Sequence, residues 1–282
     1  MRTFYTALAV LAIALGVQGA AMADDITADV LTYDGNTKVV TAKGDVVIHA
    51  NQGATITGSN GEYHFEDRSA FLEGGVHYVK DQTTLYADKM YLYQDKTARG
   101  IGSVNFHDEL EKRTLKGDDV MYNPDTGFGK IEGNGYLESP DGILQAPHIE
   151  GNMKQVKVVA TGGVNLSSSL HNAVGYGDQA VYTRTGANGT DGKLVLTGNA
   201  WVNQNGNSFN GPELVLRDED KVVETTGRST IVITNTGSTG SDSGSSSSGG
   251  GSTAPQGPVT AATPIAGRPE EAGSPLEIKD SK

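Results

Sequence analysis

Residues 177–182 read GDQAVY, residues 117–122 read GDDVMY and residues 87–92 read ADKMYL. Aligned along the chain, the phrase returns as seven hexads starting at Ala28, Gly58, Ala87, Gly117, Ala146, Gly177 and Gly211, at intervals of 30, 29, 30, 29, 31 and 34 residues. A second phrase follows, usually 16 residues after each start: GDVVI from Gly44, GGVHY from Gly74, GSVNF from Gly102, GNGYL from Gly133, GGVNL from Gly162, GNAWV from Gly198 and GRSTI from Gly227. Self-similarity at such a period marks a stacked architecture, because one unit cannot bury its apolar face alone.

Within each unit the apolar period is two. Hexad positions four and six pair as Leu31/Tyr33, Met90/Leu92, Val120/Tyr122, Ala180/Tyr182 and Leu214/Leu216. The second phrase alternates likewise through Val46/Ile48, Val76/Tyr78, Val104/Phe106 and Val164/Leu166. Strict alternation puts these side chains on one face of a β-strand. Asp34-Gly35, Asn60-Gly61, Pro124 to Gly127 and Asn188-Gly189 read as turns between strands. The fold class is therefore all-β. A glycine recurs at one register just before the second apolar pair, and a strand glycine marks a bulge or sharp bend. Rungs bent at one place would form two sheets meeting at a crease, an open-ended stack with the apolar faces turned inward. If each repeat adds one strand to each sheet, seven spacings of about 4.8 Å give roughly 34 Å.

Both ends differ from this body. Residues 1–23 combine Arg2, an apolar run over 7–17 and the small-x-small sequence Ala21-Met22-Ala23, the pattern of a cleaved signal peptide; an uncleaved anchor is the alternative. Residues 236–282 are rich in Gly, Ser and Pro, with little to bury, and read as a disordered tail. That leaves 24–235 as the repeat domain. The chain has no cysteine, hence no disulfide framework and no thiol for lipid attachment. Its net charge is −12, and losing Arg2 with the signal makes it −13, which argues against nucleic acid.

Residues 25–48, DITADVLTYDGNTKVVTAKGDVVI, and the ADKMYLY and GDDVMY units resemble the OstA/LptA family of periplasmic lipopolysaccharide-transport proteins, whose repeat is A-D-x-φ-x-φ followed by G-x-V. The resemblance covers about 28–233. It implies a β-jellyroll, or β-taco, that carries lipopolysaccharide acyl chains between the two membranes, with monomers and related Lpt proteins joined edge to edge. The groove lining would then be Leu31, Tyr33, Val46, Ile48, Val76, Tyr78, Met90, Leu92, Val104, Phe106, Val120, Tyr122, Val164, Leu166 and Tyr182. Each buried CH₂ contributes about 0.8 kcal/mol, so acyl chains can hold an acidic protein without help from charge. Several inward positions are small (Gly61, Ala70, Ala98, Gly100, Gly135, Ala180, Ala200), so an incompletely filled interior is expected.

Two other classes compete. A non-catalytic structural β-repeat protein would use the same stripe as core only. A β-helix enzyme that cleaves polysaccharides would need clustered carboxylates, and those here are scattered, with no G-x-S-x-G or H-E-x-x-H motif. No catalytic residue, metal site or cofactor is expected. Recurrent Asp29, Asp88, Asp118 and Asp178 do not follow the nine-residue calcium roll, and a structural role at the strand entrance is expected for them. The six histidines are spread singly and are expected to be solvated. Lys38, Lys43, Lys80, Lys89, Arg99 and Lys130 read as outward residues that could touch phosphates at the rim.

Overall fold

The computed structural model describes residues 23–50, 53–152, 154–169, 171–185, 191–219 and 222–234. The signal segment, except for Ala23, the tail and the Asn188-Gly189 turn lie outside the described residues. The chain separates into two units, Met1–Asn235 and Thr236–Lys282, and every described residue belongs to the first. Its strands are β1 Ala23–Thr27, β2 Val30–Asp34, β3 Val39–Ala50, β4 Ala54–His64, β5 Ser69–Lys80, β6 Thr83–Leu92, β7 Ala98–Asp108 and β8 Arg113–Tyr122. They continue as β9 Phe128–Ser139, β10 Gly142–Asn152, β11 Lys157–Ser168, β12 Ala173–Thr183, β13 Lys193–Gln204, β14 Asn207–Arg217, β15 Val223–Thr226 and β16 Thr230–Val232.

All sixteen form one open antiparallel sheet in which β3 to β14 pair strictly with their sequence neighbours. β1 and β2 pair with the two halves of β3, and β15 and β16 with the two halves of β14. Each terminal pair is thus one rung broken in the middle. Every 30-residue repeat supplies two full strands, not one. Fourteen rungs leave thirteen spacings of about 4.8 Å, so the stack is roughly 60 Å long, close to twice the expected length. Asn60-Gly61 does not turn: it sits inside β4, facing Lys43 and Ala42. Asp34-Gly35 and 124–127 do form turns.

The crease comes from the glycine register. From β3–β4 to β13–β14, every pairing of neighbouring strands shifts register at mid-strand, as between Ile101 and Val104 opposite Asp119 and Gly117. There the odd-numbered strand places two consecutive residues in the left-handed region, for example Gly102 at φ 79° and Ser103 at φ 47°. A Cβ at Gly102 would land on the Asp88 carboxylate of the preceding strand. The hexad aspartate therefore lies over the corner glycine in mid-strand, not at a strand entrance. Asp118 covers Gly133 in the same way and accepts a hydrogen bond from Asn134 Nδ2 at 2.9 Å. Glycine and aspartate recur together because the bend needs a residue without a side chain and a short polar neighbour to cover it.

The bend divides the sheet into two walls. Wall 1 runs from the crease to the lip formed by the turns at 35–38, 65–68, 93–97 and 123–127, with 218–219 after β14; wall 2 runs to the opposite lip, with turns at 81–82, 109–112 and 140–141, and 171–172 before β12. Inward rows from both walls interdigitate as a core of Val, Leu, Ile and aromatic residues. The outer faces differ. Over β4 to β14 the two outward rows of wall 1 nearest the crease carry Glu62, Glu73, Lys89, Arg99, Asp119, Lys130, Glu132, Glu150 and Glu213. Many pair: Lys89 with Glu73 at 3.1 Å, Arg99 Nε with Asp119 Oδ1 at 2.8 Å, and Lys130 with Glu132. The same two rows of wall 2 carry only Lys116 and Glu138 besides two histidines.

Candidate functional site

The inner face is built row by row. One row of wall 2 runs Ile48, Ile56, Tyr78, Leu85, Phe106, Leu115, Leu137, Leu144 and Leu166 across successive strands. On wall 1 a matching row runs Leu31, Ala42, Gly61, Leu72, Met90, Gly100, Val120, Ile131 and Ile149. Only Ala42, Gly61 and Gly100 are small in the wall 1 row, and the large residues of both rows pack into one buried cluster, so the small inward positions do not leave an open channel. Gly100, Ala180 and Ala200 are themselves buried. Between β10 and β13 the inner faces enclose a small void of about 20 Å³, lined by Leu144, Val158, Ala160, Leu166, Ser168, Ala180, Tyr182 and Leu194. Such a void has room for about one water, so no acyl chain fits there in this conformation. The expectation of an incompletely filled interior is corrected: between β5 and β14 the facing rows fill it.

Of the residues assigned to the lining from sequence, Val46, Val76, Tyr78, Met90, Val104, Phe106, Val120, Tyr122, Val164, Leu166 and Tyr182 are buried. Ile48 and Leu92 are half-buried. Leu31 and Tyr33 lie on the inner rows of the first rung yet are 49% and 61% exposed, since nothing described stacks on that rung. Leu85, Leu115, Ile131, Leu137 and Ile149 were not singled out, although counting by twos from the hexads and second phrases reaches them.

The two ends of the roll differ. At the first rungs, Leu31, Tyr33 and Phe65 are exposed, and Tyr33, Tyr63 and Phe65 pack edge to face at one lip, with centroids 6.1 and 4.9 Å apart. On the inner row of wall 2, the Tyr78 hydroxyl is buried and has no hydrogen-bond partner among the described residues, and burial, with a smaller push from Asp81, raises its pKa to about 12. A buried donor left unpaired costs about 1–3 kcal/mol. Toward the other end the lips meet. His171, in the turn between β11 and β12 on the wall 2 lip, places Nε2 3.1 Å from Asp218 Oδ1 on the wall 1 lip. Tyr182 donates its hydroxyl to Asp218 Oδ2 at 2.9 Å. Burial alone would raise the Asp218 pKa, but the bonds from His171 and Tyr182 outweigh it and hold the carboxyl below its ordinary value.

His171 is thus buried and paired, contrary to the reading of all six histidines as solvated. His148 also pairs, with Glu132 at 2.8 Å on the outer face. Of the basic residues proposed for the rim, Lys89, Arg99 and Lys130 each engage a carboxylate on the outer surface of wall 1, whereas Lys38 lies at the wall 1 lip, paired with Glu66. Among the described residues, no group of three His, Asp or Glu side chains is placed to hold a metal. No helix among them is long and apolar enough to cross a membrane.

Residues 55–157 match the family model of the LptA and LptD N-terminal domain, described as an LPS transport protein. No curated protein matches the chain. Among solved structures, LptH of Pseudomonas aeruginosa is similar at 16% identity and a TM-score of 0.39, over 45% of this chain and 98% of that one. That structure is titled as the LptA-homologous periplasmic component of a lipopolysaccharide transport device. Over residues 55–157, about a third of the chain, the sequence is thus similar to the LptA and LptD N-terminal domain, in agreement with the resemblance carried by the repeat.

Proposed function

We propose that this chain is a periplasmic carrier of lipopolysaccharide: acyl chains lie between the two walls, head groups stay in solvent, and the roll joins related Lpt-type rolls end to end on the way to the outer membrane. The observation that carries this reading is the continuity of the inner rows. The row that seals Val120 and Ile131 in the core runs without a break to Leu31, exposed at the first rung. An apolar stripe that reaches the surface is the kind of patch that marks a ligand or partner site. The family match supports the lipid class.

The filled interior sets the mechanism. Acyl chains enter by replacing wall-to-wall side-chain contacts, which needs the lips to part at the first rungs, away from the His171–Asp218 tie. Apolar contact is exchanged for apolar contact, so the cost is mainly strain and ordering, and each CH₂ removed from water contributes about 0.8 kcal/mol. The terminal rungs supply the joints. β1/β2 and β15/β16 are sheet edges with unpaired backbone groups and exposed Leu31, Tyr33, Ile231 and Ile233, a surface that another strand can extend. No catalytic group is invoked, and export to the periplasm rests on the N-terminal sequence pattern and the family match.

Photo-crosslinking amino acids test this in cells. In place of Tyr33 or Tyr63 at the open end they should capture lipopolysaccharide. At outward Thr32 or Glu62, on the same rungs, they should not. Equal capture at both sets, or none at either, contradicts the reading.

A further inference from the structure

The outer face of wall 2 carries a second binding surface that the lipid reading leaves unused. One outward row, next to the crease, passes through His77, Tyr86, Asn105 and Lys116, then Tyr136 and Gln145, then Asn165, Tyr176, Trp201 and Asn210, each directly opposite the next on successive strands. The aromatic residues come as three stations. His77 stacks on Tyr86 with centroids 4.1 Å apart and planes 9° from parallel. Lys116 Nζ lies 5.5 Å from the Tyr136 ring. Tyr176 stacks on Trp201 at 5.5 Å and 22°. Tyr86 and Tyr176 remain 48% and 37% exposed although they sit mid-sheet among ordered neighbours.

Between the stations stand amides. Asn105 is opposite Tyr86, Gln145 opposite Tyr136, Asn165 opposite Tyr176 and Asn210 opposite Trp201. Every aromatic station therefore borders a side chain that can both donate and accept a hydrogen bond. The next outward row is mostly hydroxyl, amide and aliphatic, with Thr84, Thr114, Ser167 and Asn203 among its members. Wall 2 thus lacks the nine charges of wall 1 in a chain whose net charge is −12. The rows of wall 2 hold few carboxylates to be desolvated under a ligand, while exposed Asp88, Asp118 and Asp178 along the crease beside the strip would repel an anion, and both match a ligand that is neutral and rich in hydrogen-bonding groups.

We infer that this row is a binding strip for an extended neutral polysaccharide of N-acetylhexosamine type. Pyranose rings present C–H faces to the aromatic rings, whose faces are electron-rich. Hydroxyl and acetamido groups engage the alternating Asn and Gln. The regular strand spacing of about 4.8 Å suits a linear polymer laid along the stack. A protein partner would instead require a contiguous apolar patch, and here amides interrupt the aromatics at each station. The strip lies on the outside of the roll, so it is independent of what the interior carries.

The chain contains one tryptophan, Trp201, so its fluorescence reports on the strip directly. Titrating the purified protein with chitohexaose should give a saturable change in emission, with cellohexaose binding about tenfold more weakly for lack of the acetamido groups. Tyr176→Ala should weaken chitohexaose about tenfold through loss of the stacked partner, and Lys89→Ala on wall 1 should leave it unchanged. An absent response, equal binding of the two hexaoses, or insensitivity to Tyr176→Ala overturns the proposal. So does concentration-dependent self-association that Tyr176→Ala abolishes, which would make the strip a contact between copies.

Discussion

At the scale of single residues, the sequence was most misleading where two distant residues meet. His171 reads as one more isolated histidine, and Asp218 as the polar residue that ends a strand. Only the closure of the lips brings them to 3.1 Å across 47 residues of chain, and neither residue carries a local signal of it. The parity of the hexads, in contrast, located Val104, Phe106, Val120 and Tyr122 on the inner face directly. Leu31 and Tyr33 share that parity but not that burial, because parity assigns a face and not the presence of a neighbouring rung.

The lip tie has a pH signature. The pKa of Asp218 is depressed on folding, so its contribution is fully present above the ordinary value of 3.8 and is lost as pH falls through the lower folded value. Acid unfolding should therefore steepen below about pH 4. Asp218→Asn should be less stable at pH 7 and show a flatter pH dependence in that range by circular dichroism. An unchanged acid limb would mean that the carboxylate does not hold the lips.

At the scale of the strand, the repeated glycine was legible as a bend, whereas its partner was not. The phrase reads as the start of a strand with its aspartate at the entrance; it is in fact the second half of one, as in 87–92 of β6 and 117–122 of β8, with the turn directly after it. The same error halved the rise per repeat and made Asn60-Gly61 look like a hairpin turn. Asn-Gly favours left-handed turns only where the ladder allows a reversal. In β4 both residues have cross-strand partners on either side.

The corner makes a quantitative prediction. Gly102→Ala places a side chain at φ 79° and against Asp88, and left-handed strain alone costs about 1–2 kcal/mol. In urea unfolding the variant should lose that and more. In an Asp88→Ala background, the additional cost of Gly102→Ala should be smaller, because the carboxylate is removed and only the contact with the residue 88 Cβ at 2.7 Å remains. Strict additivity of the two substitutions would show that glycine and aspartate do not act as one corner.

At the scale of the whole molecule, an all-β open stack with a crease and an inward apolar stripe followed from period and parity. The extent of filling did not, because packing around small residues is set only once the sheet is folded: Ala98 and Gly100 look like gaps in sequence and are buried, Gly100 against Val104 and Ala87 at the crease. The contrast between walls was equally hidden, since both contribute alternate residues to every strand and their compositions separate only when the register is known. The resulting roll has one open end, one tied end, a charged outer wall and an aromatic-amide outer wall.

The central claim is that the interior carries lipid. Mass spectrometry of lipid retained by the mature protein purified from its native envelope tests it most directly. The account predicts lipid A near one equivalent per protein, lost when charge is introduced at the open end by Leu31→Glu and Tyr33→Glu. Protein that emerges empty under conditions that keep an established carrier of this lipid loaded would contradict it and leave the inner rows as core alone.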